Sequence, residues 1–324
     1  MTTYLTRLSE RLARGLARLG DDFRGRQLRY VLSTQNDDGG FSGRRGSSDV
    51  YYTTFALRAA DMLSVSAPGF WKRSAAFVRK HSTAPADVTD CLSLLAARTI
   101  LARRGQVLWC ETCTDERVEA VRATLERHRS ALGGFSKTPG GDVSLFHTFL
   151  AALSYDLLNE PMPEAEAAAA LVASRQRSDG GFAEFAATEA SGTSPTAAAV
   201  GVLGLSGALG EISSRAAAEY LLAMQRPDGG FAAHAEAPLP DLLSTFTGLV
   251  TVLDLGAIRD VRLSAVGRYV KSLAAPSGGF LAAQPDNAAD IEYTYYGLGT
   301  LALLAEQVPA DPRNTLSTAR RGPG

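Results

Sequence analysis

Carboxylates begin several apolar segments of this sequence, at places where they could take part in proton transfer. The strings Asp49-Val-Tyr-Tyr-Thr53, Asp241-Leu-Leu-Ser-Thr245 and Asp290-Ile-Glu-Tyr-Thr294 each place Asp four residues before Thr. Asp is a preferred N-cap, so capping a helix is the simplest interpretation of each. Burial or a nearby charge can also shift a carboxyl pKa into the range of a general acid or base. The candidate catalytic residues are Asp90, Asp241, Asp290, Glu292 and Tyr293.

Two further segments should open with Asp87 and Asp142 in the same way. Asp87 and Asp90 stand at positions i and i+3, on one face of the helix that would follow. Such a pair could share a proton and supply an acid. The alternative is two solvated caps that take no part in catalysis.

Aromatic side chains are concentrated in the same apolar segments. Ring faces stabilise cations and pack well against long apolar chains, although core packing also explains aromatic residues. His147, a histidine within such a segment, either forms a buried hydrogen bond or transfers a proton. The candidate ligand-binding residues are Tyr52, Phe146, His147, His234, Phe246 and Tyr296, and Tyr293 is a further aromatic residue expected to face a cavity.

These segments belong to a repeat marked by Gly-Gly-Phe, which occurs at 39–41, 133–135, 180–182, 229–231 and 278–280. The last three intervals are 47, 49 and 49 residues, and the first is close to two periods. One unit has therefore lost its glycines, near residues 84–91, where the turn reads Thr-Ala-Pro-Ala-Asp. Six units of helix, turn and helix account for nearly the whole chain.

Each unit combines two kinds of helix. Residues 215–225 before a glycine pair form an amphipathic pattern with one polar face, which predicts an outer helix. Residues 196–209 after a glycine pair are small and apolar with almost no charge, so this helix must be buried on all sides. Repeated six times, the pattern predicts an all-α protein with an inner ring of helices inside an outer ring.

Three of the glycine pairs extend backwards to Gln35-Asn-Asp-Asp-Gly-Gly-Phe41, Gln176-Arg-Ser-Asp-Gly-Gly-Phe182 and Gln225-Arg-Pro-Asp-Gly-Gly-Phe231. This string resembles the repeat of squalene cyclases and of protein prenyltransferase β subunits, and the resemblance spans essentially the whole chain. It implies a closed α/α toroid of six inner and six outer helices. The chain length is closer to that of the β subunits than to that of the two-domain cyclases.

The chemistry of those families matches less well. The protein prenyltransferases hold a thiolate-activating zinc through an Asp-x-Cys pair and a His, and the matching positions here are Asp241, Leu243 and Tyr293. The resemblance therefore implies no zinc, while magnesium stays open as a cofactor. Their diphosphate clamp uses Arg and Lys where this sequence has His234. The D-x-D-D string with which squalene cyclases protonate an alkene does not occur, nor does a D-D-x-x-D string for magnesium.

Composition sets the wider limits. The 324 residues carry a net charge of −1 without a basic block, so we expect no nucleic-acid partner. Cys91, Cys110 and Cys113 are too few for a disulfide framework, and the Cys110-x-x-Cys113 pair, with only His128 to assist, is expected to be a surface turn. No apolar run reaches the roughly 20 residues of a membrane span, and the N-terminus is charged throughout, which predicts a cytoplasmic protein.

The domain prediction is one toroid over residues 1–308 and a Pro, Arg and Gly rich, disordered tail over 309–324. Near the N-terminus, Leu5, Leu8, Leu12, Leu16 and Leu19 form a helical stripe among arginines. The stripe either packs across the barrel or docks on a membrane surface or a partner helix. A second copy of this chain is an alternative partner.

These patterns lead to an expectation of an enzyme similar to prenyltransferases, which binds an isoprenoid in a central aromatic cavity. One alternative is a terpene cyclase in which Asp90 or Glu292 protonates an alkene. Another is a toroid without catalytic activity that binds a lipid or a helical partner.

Overall fold

A computed structural model describes residues 2–81, 84–106 and 116–308. Within these ranges the chain forms thirteen α-helices, one 3₁₀ helix and four two-residue strands. The α-helices are α1 (Tyr4–Leu16), α2 (Asp21–Ser33), α3 (Val50–Met62), α4 (Pro68–His81), α5 (Val88–Arg103), α6 (Glu116–His128), α7 (Leu145–Leu158), α8 (Ala165–Ala173), α9 (Thr193–Leu205), α10 (Glu211–Ala223), α11 (Leu242–Asp254), α12 (Leu263–Ser272) and α13 (Ile291–Gln307). The 3₁₀ helix is Ile258–Asp260.

Six of these helices form a closed inner ring because their surfaces are apolar on nearly every side. The α9 helix, for example, has no charged residue, and α11 has only its last residue, Asp254. The ring runs α3, α5, α7, α9, α11, α13 and back to α3, each helix contacting the next. The outer helices α2, α4, α6, α8, α10 and α12 each pack on one or two inner helices. The predicted toroid of six inner and six outer helices is confirmed.

In three units, those with glycine pairs at 39, 180 and 229, the Gly-Gly-Phe turn joins the outer helix to the next inner one through the same set of bonds. In the fourth unit Gly180 has a positive φ of 88°, and the Asp179 carboxylate accepts the amide of Gly181 at 3.0 Å. The Gln176 side-chain amide donates to the carbonyl of Gly180 at 3.0 Å. The Phe182 side chain that follows is fully buried, as are its four counterparts. The turn thus places one aromatic anchor in the core in each of the five units that have a glycine pair.

In the units with a glycine pair, a threonine four residues after the N-cap of the inner helix completes this turn, whether that cap is Asp49 or Gly192. Its hydroxyl accepts the backbone N–H of the buried phenylalanine, as Thr53 does from Phe41 at 3.0 Å and Thr196 does from Phe182 at 2.9 Å. Short antiparallel pairs support the same connection, with Phe135 opposite Ser144 and Phe231 opposite Asp241. The strands are β1 (Phe135–Ser136), β2 (Val143–Ser144), β3 (Phe231–Ala232) and β4 (Pro240–Asp241). A buried amide next to the phenylalanine anchor is thereby satisfied.

The N-terminal segment closes the ring. The last glycine pair packs under α2, where a Cβ on Gly278 would lie 2.7 Å from Tyr30. That unit has Ser277 in place of the motif aspartate, and the amide of Gly279 instead donates to Gln27 of α2 at 2.8 Å. The α1 helix then crosses the ring and packs against α13, α3 and α7. Leu12 and Leu16 are fully buried, so the leucine stripe packs across the barrel.

Local boundaries differ from the sequence prediction in a few places. The α7 helix is capped by Ser144, whose hydroxyl accepts the amide of His147 at 3.1 Å, so Asp142 is not its cap. The β1 and β2 pair occupies the residues in between and moves the helix start forward. Two other predictions, the turn at Cys110 and Cys113 and the tail over 309–324, lie outside the described residues.

Candidate functional site

A cavity of about 380 Å³ fills the centre of the ring. This volume is within the range of about 300–1,000 Å³ that is usual for small-molecule sites. Its polar wall comes from the adjacent helices α3 and α13, with Tyr51, Arg58 and Tyr296 among its residues. The apolar wall comes from α7 and α9, which stand opposite in the ring. The residues of the apolar wall are Phe146, Phe149, Leu150, Leu153, Ala197, Val200, Gly201, Gly204 and Leu205.

Small residues on α9 keep this space open. A Cβ on Gly201 would lie 2.3 Å from the ring of Phe149, so a larger residue there would displace that ring. On the far side, Phe246 packs edge-on against Tyr295, with ring centroids 5.4 Å apart. The cavity is therefore lined by rings whose electron-rich faces suit an apolar chain or a cation.

Glu292 is held by two tyrosines that line this cavity, although it is not itself a lining residue as Asp254 is. Its Oε1 accepts hydrogen bonds from the hydroxyls of Tyr51 at 2.8 Å and Tyr296 at 3.2 Å, and both tyrosines line the cavity. Burial raises the pKa of Glu292, and the charge of Asp290 raises it further, while the two tyrosine hydrogen bonds act against this shift. Burial also raises the pKa of Tyr51 and of Tyr296. The three side chains, defined here as the Tyr-Glu-Tyr cluster, can hold and pass a proton next to the cavity.

Arg58 is a half-buried cation in the polar wall. Its guanidinium carbon lies 5.8 Å from the ring centre of Phe55 and 5.7 Å from that of Tyr295. Its charge lowers the pKa of Tyr51, Tyr295 and Tyr296 in opposition to burial, so it is close to the Tyr-Glu-Tyr cluster. No carboxylate of the described part of the chain lies within 4.0 Å of its nitrogens.

The α1 helix covers the end of the cavity at the C-termini of the inner helices. Tyr4 lines the cavity, donates its hydroxyl to Asp254 at 2.8 Å and its backbone amide to Asp156 at 2.7 Å. Burial raises the pKa of Asp254, which Arg11 approaches at 3.9 Å. The opposite end is open to solvent, because Phe146 in the first turn of α7 is 42% exposed.

The predicted aspartates surround this open end, which we call the mouth. Asp241 caps α11 and also accepts the hydroxyl of Ser244 at 2.7 Å. Asp290 caps α13 and pairs with Arg44 at 3.0 Å. Arg44 also binds Asp286 through two nitrogens. The one cation seen next to Asp290 is thus already shared between two carboxylates.

The neighbouring carboxylates of the mouth also act as caps. Asp87 accepts the amide of Asp90 at 3.0 Å, and Asp90 accepts the amide of Ala86 at 3.0 Å. Burial raises the pKa of Asp90, and the charge of Asp87 adds to it. Asp49 caps α3, and burial, aided by the charge of Asp90, raises its pKa too. Asp90, like Glu292, is not itself a lining residue, and the Asp87 and Asp90 carboxylates both accept backbone amides at the start of α5 as helix caps do.

The other sequence candidates lie in different surroundings. Phe146, Phe246 and Tyr296 line the cavity. Tyr52 packs over Gly43 instead. The ring of Tyr293 lies under Arg44, whose guanidinium carbon is 5.9 Å from the ring centre. Burial raises the pKa of Tyr293 to about 12, with the charges of Glu292, Asp290 and Asp241 adding to it.

The two histidines are outside the cavity lining. His147 is buried with its Nδ1 2.9 Å from the hydroxyl of Ser144, and burial lowers its pKa. His234 is exposed on the loop before α11.

The residues at the family's zinc position do not fit that metal. Leu243 offers no donor, and the Asp241 carboxylate is already engaged by the N–H and hydroxyl of Ser244. Within the described ranges, no three His, Cys, Asp or Glu side chains group as a metal site would require. Tyr293 at the third position is directed to Arg44.

Sequence reasoning missed Tyr51, Arg58 and Tyr295. Tyr51, Phe55 and Arg58 follow one another at i, i+4 and i+7, which places them on one helix face. That spacing is visible in the sequence, but it does not reveal that this face, rather than that of Tyr52, is the one turned inwards.

This architecture is that of a known protein family. A model of the prenyltransferase alpha-alpha toroid domain matches residues 16–165 and 149–320. No curated protein matches the sequence. Within the described ranges, no helix combines the length and the apolar character needed to cross a membrane.

Solved structures share the fold at low sequence identity. Protein geranylgeranyltransferase-I from Candida albicans, complexed with GGPP, has a TM-score of 0.64 at 15% identity, covering 86% of this chain and 90% of that one. A variant of the type II terpene cyclase MstE from Scytonema, in complex with geranylgeranyl dihydroxybenzoate, has a TM-score of 0.62 at 13% identity. The match covers 92% of this chain and 99% of that one. The GH76A alpha-1,6-mannanase from Salegentibacter has a TM-score of 0.60 at 10% identity, and the match covers 89% of this chain and 99% of that one. Such likeness shows a shared fold, on which different chemistries have been built.

Proposed function

Because this chain belongs to the prenyltransferase alpha-alpha toroid family, we propose that it binds an isoprenoid chain in its central cavity and cyclises it by proton transfer. The structural relatives named as a geranylgeranyltransferase and a terpene cyclase hold geranylgeranyl compounds, which supports an isoprenoid ligand. The Tyr-Glu-Tyr cluster is the observation on which the choice of cyclisation rests. It joins a carboxyl group whose pKa is raised by burial to two hydroxyls that line the cavity.

The proposed reaction is an isomerisation. When Glu292 is protonated, its hydrogen bond with Tyr51 reverses, so that the carboxyl donates to the Tyr51 oxygen. Glu292 then passes its proton to Tyr51 as the Tyr51 hydroxyl gives its own proton to an alkene carbon. The alkene electron pair forms the new C–H bond, and the carbocation left behind is attacked by a neighbouring double bond. A proton is finally lost from carbon and returned to Glu292, so no atom is gained or lost. The rings of Phe146, Phe149 and Phe246, which also line the cavity, can stabilise the cation through their faces.

Diphosphate-dependent transfer, the activity favoured by the resemblance, has weaker support from the site. A diphosphate at the mouth would meet Asp49, Asp90, Asp241 and Asp290, and like charges repel strongly near a low-dielectric cavity. Arg44 is held by two of the neighbouring carboxylates, and His234 stands alone at the family's clamp position. Cyclisation by proton transfer releases no diphosphate and so needs no cation at the mouth.

The test is to incubate the full-length protein with farnesol, geranylgeraniol and geranylgeranyl diphosphate and to analyse products by mass spectrometry. We expect a cyclic isomer of unchanged mass from a diphosphate-free chain. Glu292→Gln should lower its rate by about 10²–10⁴, the usual contribution of a general acid. The control is Glu219→Gln, because Glu219 is an exposed residue of outer helix α10 that pairs with Arg215. It should keep the wild-type rate.

Other outcomes would point elsewhere. Release of diphosphate with transfer of the prenyl group would replace cyclisation by the transferase activity. Tight binding of all three chains without any product would indicate a toroid that only binds lipids.

A further inference from the structure

The two sides of the cavity differ in polarity. Arg58 and three tyrosines on α3 and α13 face α7 and α9, whose lining residues are entirely apolar. Because these helix pairs stand opposite each other in the ring, the cavity is amphiphilic across its width. A ligand that fills it should have a polar end and an apolar body.

Arg58 has no opposite charge beside it. Taking a charge out of water is costly unless an opposite charge or hydrogen bonds compensate for it. The rings of Phe55 and Tyr295 attract the charge at 5.8 and 5.7 Å, and the Tyr295 hydroxyl is hydrogen-bonded to Arg58, but neither neutralises the charge or engages the donor fork as a carboxylate would. Within the described ranges no carboxylate lies within 4.0 Å of the guanidinium.

The other charged lining residues are differently placed. Arg7 is exposed on α1 and donates to the carbonyl of Thr2. Asp254, at the end covered by α1, accepts the hydroxyl of Tyr4 and is approached by Arg11. Arg58 is thus the lining cation that has no anionic partner in the described part of the chain and adjoins the Tyr-Glu-Tyr cluster.

We infer that Arg58 binds the anionic head group of the ligand, a carboxylate or a phosphate, while the apolar chain extends over α7 and α9. A guanidinium is suited to this role because its planar fork of donors matches such oxyanions in a bidentate manner. The inference rests on the proposed function, since it specifies the substrate class of the same cavity. Arg58 stands two helical turns from Tyr51 on one face of α3, so fixing the head would select which double bond meets Tyr51.

The experiment is isothermal titration calorimetry of full-length wild type, Arg58→Met, Arg58→Lys and Arg7→Met. The probes are farnesoic acid, farnesyl monophosphate, farnesol and pentadecanoic acid. Wild type should bind at least one anionic farnesyl probe ten or more times more tightly than farnesol. Arg58→Met should reduce that preference to threefold or less without weakening farnesol binding by more than threefold. Arg58→Lys should retain part of the preference, and Arg7→Met all of it.

The outcomes separate the head-group site from the proposed function. The farnesoic acid and monophosphate arms distinguish a carboxylate from a phosphate head. If farnesol binds as tightly as the anions, or the preference persists in Arg58→Met, the head-group site is wrong while isoprenoid binding stands. If pentadecanoic acid binds through Arg58 but no farnesyl compound does, the site stands and the isoprenoid function fails. Absence of binding by any probe overturns both. Circular dichroism of each variant verifies its folding.

Discussion

At the scale of single residues, Glu292 makes the stability of the protein depend on pH, besides the catalytic role proposed for it. It is in the first turn of α13, two residues after the cap Asp290, and is held by two tyrosine hydroxyls. Burial raises its pKa, so the folded state binds a proton more tightly than the unfolded chain does. This contribution to stability is fully present at low pH and is lost as the pH rises through the raised pKa of the folded state.

We therefore expect Glu292→Gln to be at least as stable as wild type at pH 7, because glutamine keeps an acceptor for the tyrosines without carrying a charge. The advantage should shrink as the pH falls through the raised pKa of folded Glu292 towards the ordinary glutamate value of about 4.3, and stay constant below that value. Thermal melts of both proteins between pH 4 and pH 8 measure it. A difference that does not change with pH would show that Glu292 has the same pKa in the folded and unfolded states.

At the scale of elements, the repeat works because each Gly-Gly-Phe turn passes beneath the next outer helix. Gly180 combines a positive φ with close contact, since a Cβ there would lie 2.3 Å from the carbonyl oxygen of Ala216. Gly207 also has a positive φ, of 69°, but nothing lies within 4 Å of its Cβ position. These two glycines separate backbone strain from steric contact.

Gly180→Ala and Gly207→Ala should both lose about 1–2 kcal/mol through left-handed strain. Gly180→Ala should lose about 1–3 kcal/mol more, the usual penalty of overpacking, because the α10 backbone has to move. Urea unfolding of the two variants and wild type gives the comparison. If the two variants lose the same free energy of unfolding, α10 can move away from the added methyl group without cost, and the close contact at Gly180 does not affect stability.

At the scale of the whole molecule, a ring needs a joint where its two ends meet. That joint is formed by α2, which packs over the last turn, and by α1, which packs along α13. Gln27 is 1% exposed and accepts the amide of Gly279 in place of a motif aspartate. Without it a buried N–H would have no partner.

Gln27→Ala should destabilise the protein by about 1–3 kcal/mol, the penalty of a buried unsatisfied donor. Chemical unfolding followed by circular dichroism tests this, with Gln284→Ala as the control. Gln284 is exposed and makes one long bond, of 3.4 Å, to the carbonyl of Ser272, so its loss should change stability by less than about 0.5 kcal/mol. If the two variants are similarly stable, the hydrogen bond between Gln27 and Gly279 does not stabilise the joint between the two ends of the ring.

The sequence by itself determined the architecture. The interval of 47–49 residues between glycine pairs and the alternation of amphipathic with uncharged segments already required six buried helices inside six half-exposed ones. The caps at Asp49, Asp87, Asp241 and Asp290 were equally visible, because an N-cap depends only on its own turn.

Only the tertiary structure decided which side chains face the cavity. Tyr51 and Tyr52 are adjacent in sequence and equally aromatic, yet only Tyr51 lines the cavity, because the rotation of α3 within the ring selects its inward face. Gln27 and Gly279 are 252 residues apart, and no local pattern connects them. The Tyr-Glu-Tyr cluster and the isolated charge of Arg58 arise in the same way, from helices that are distant in sequence and become neighbours when the ring closes.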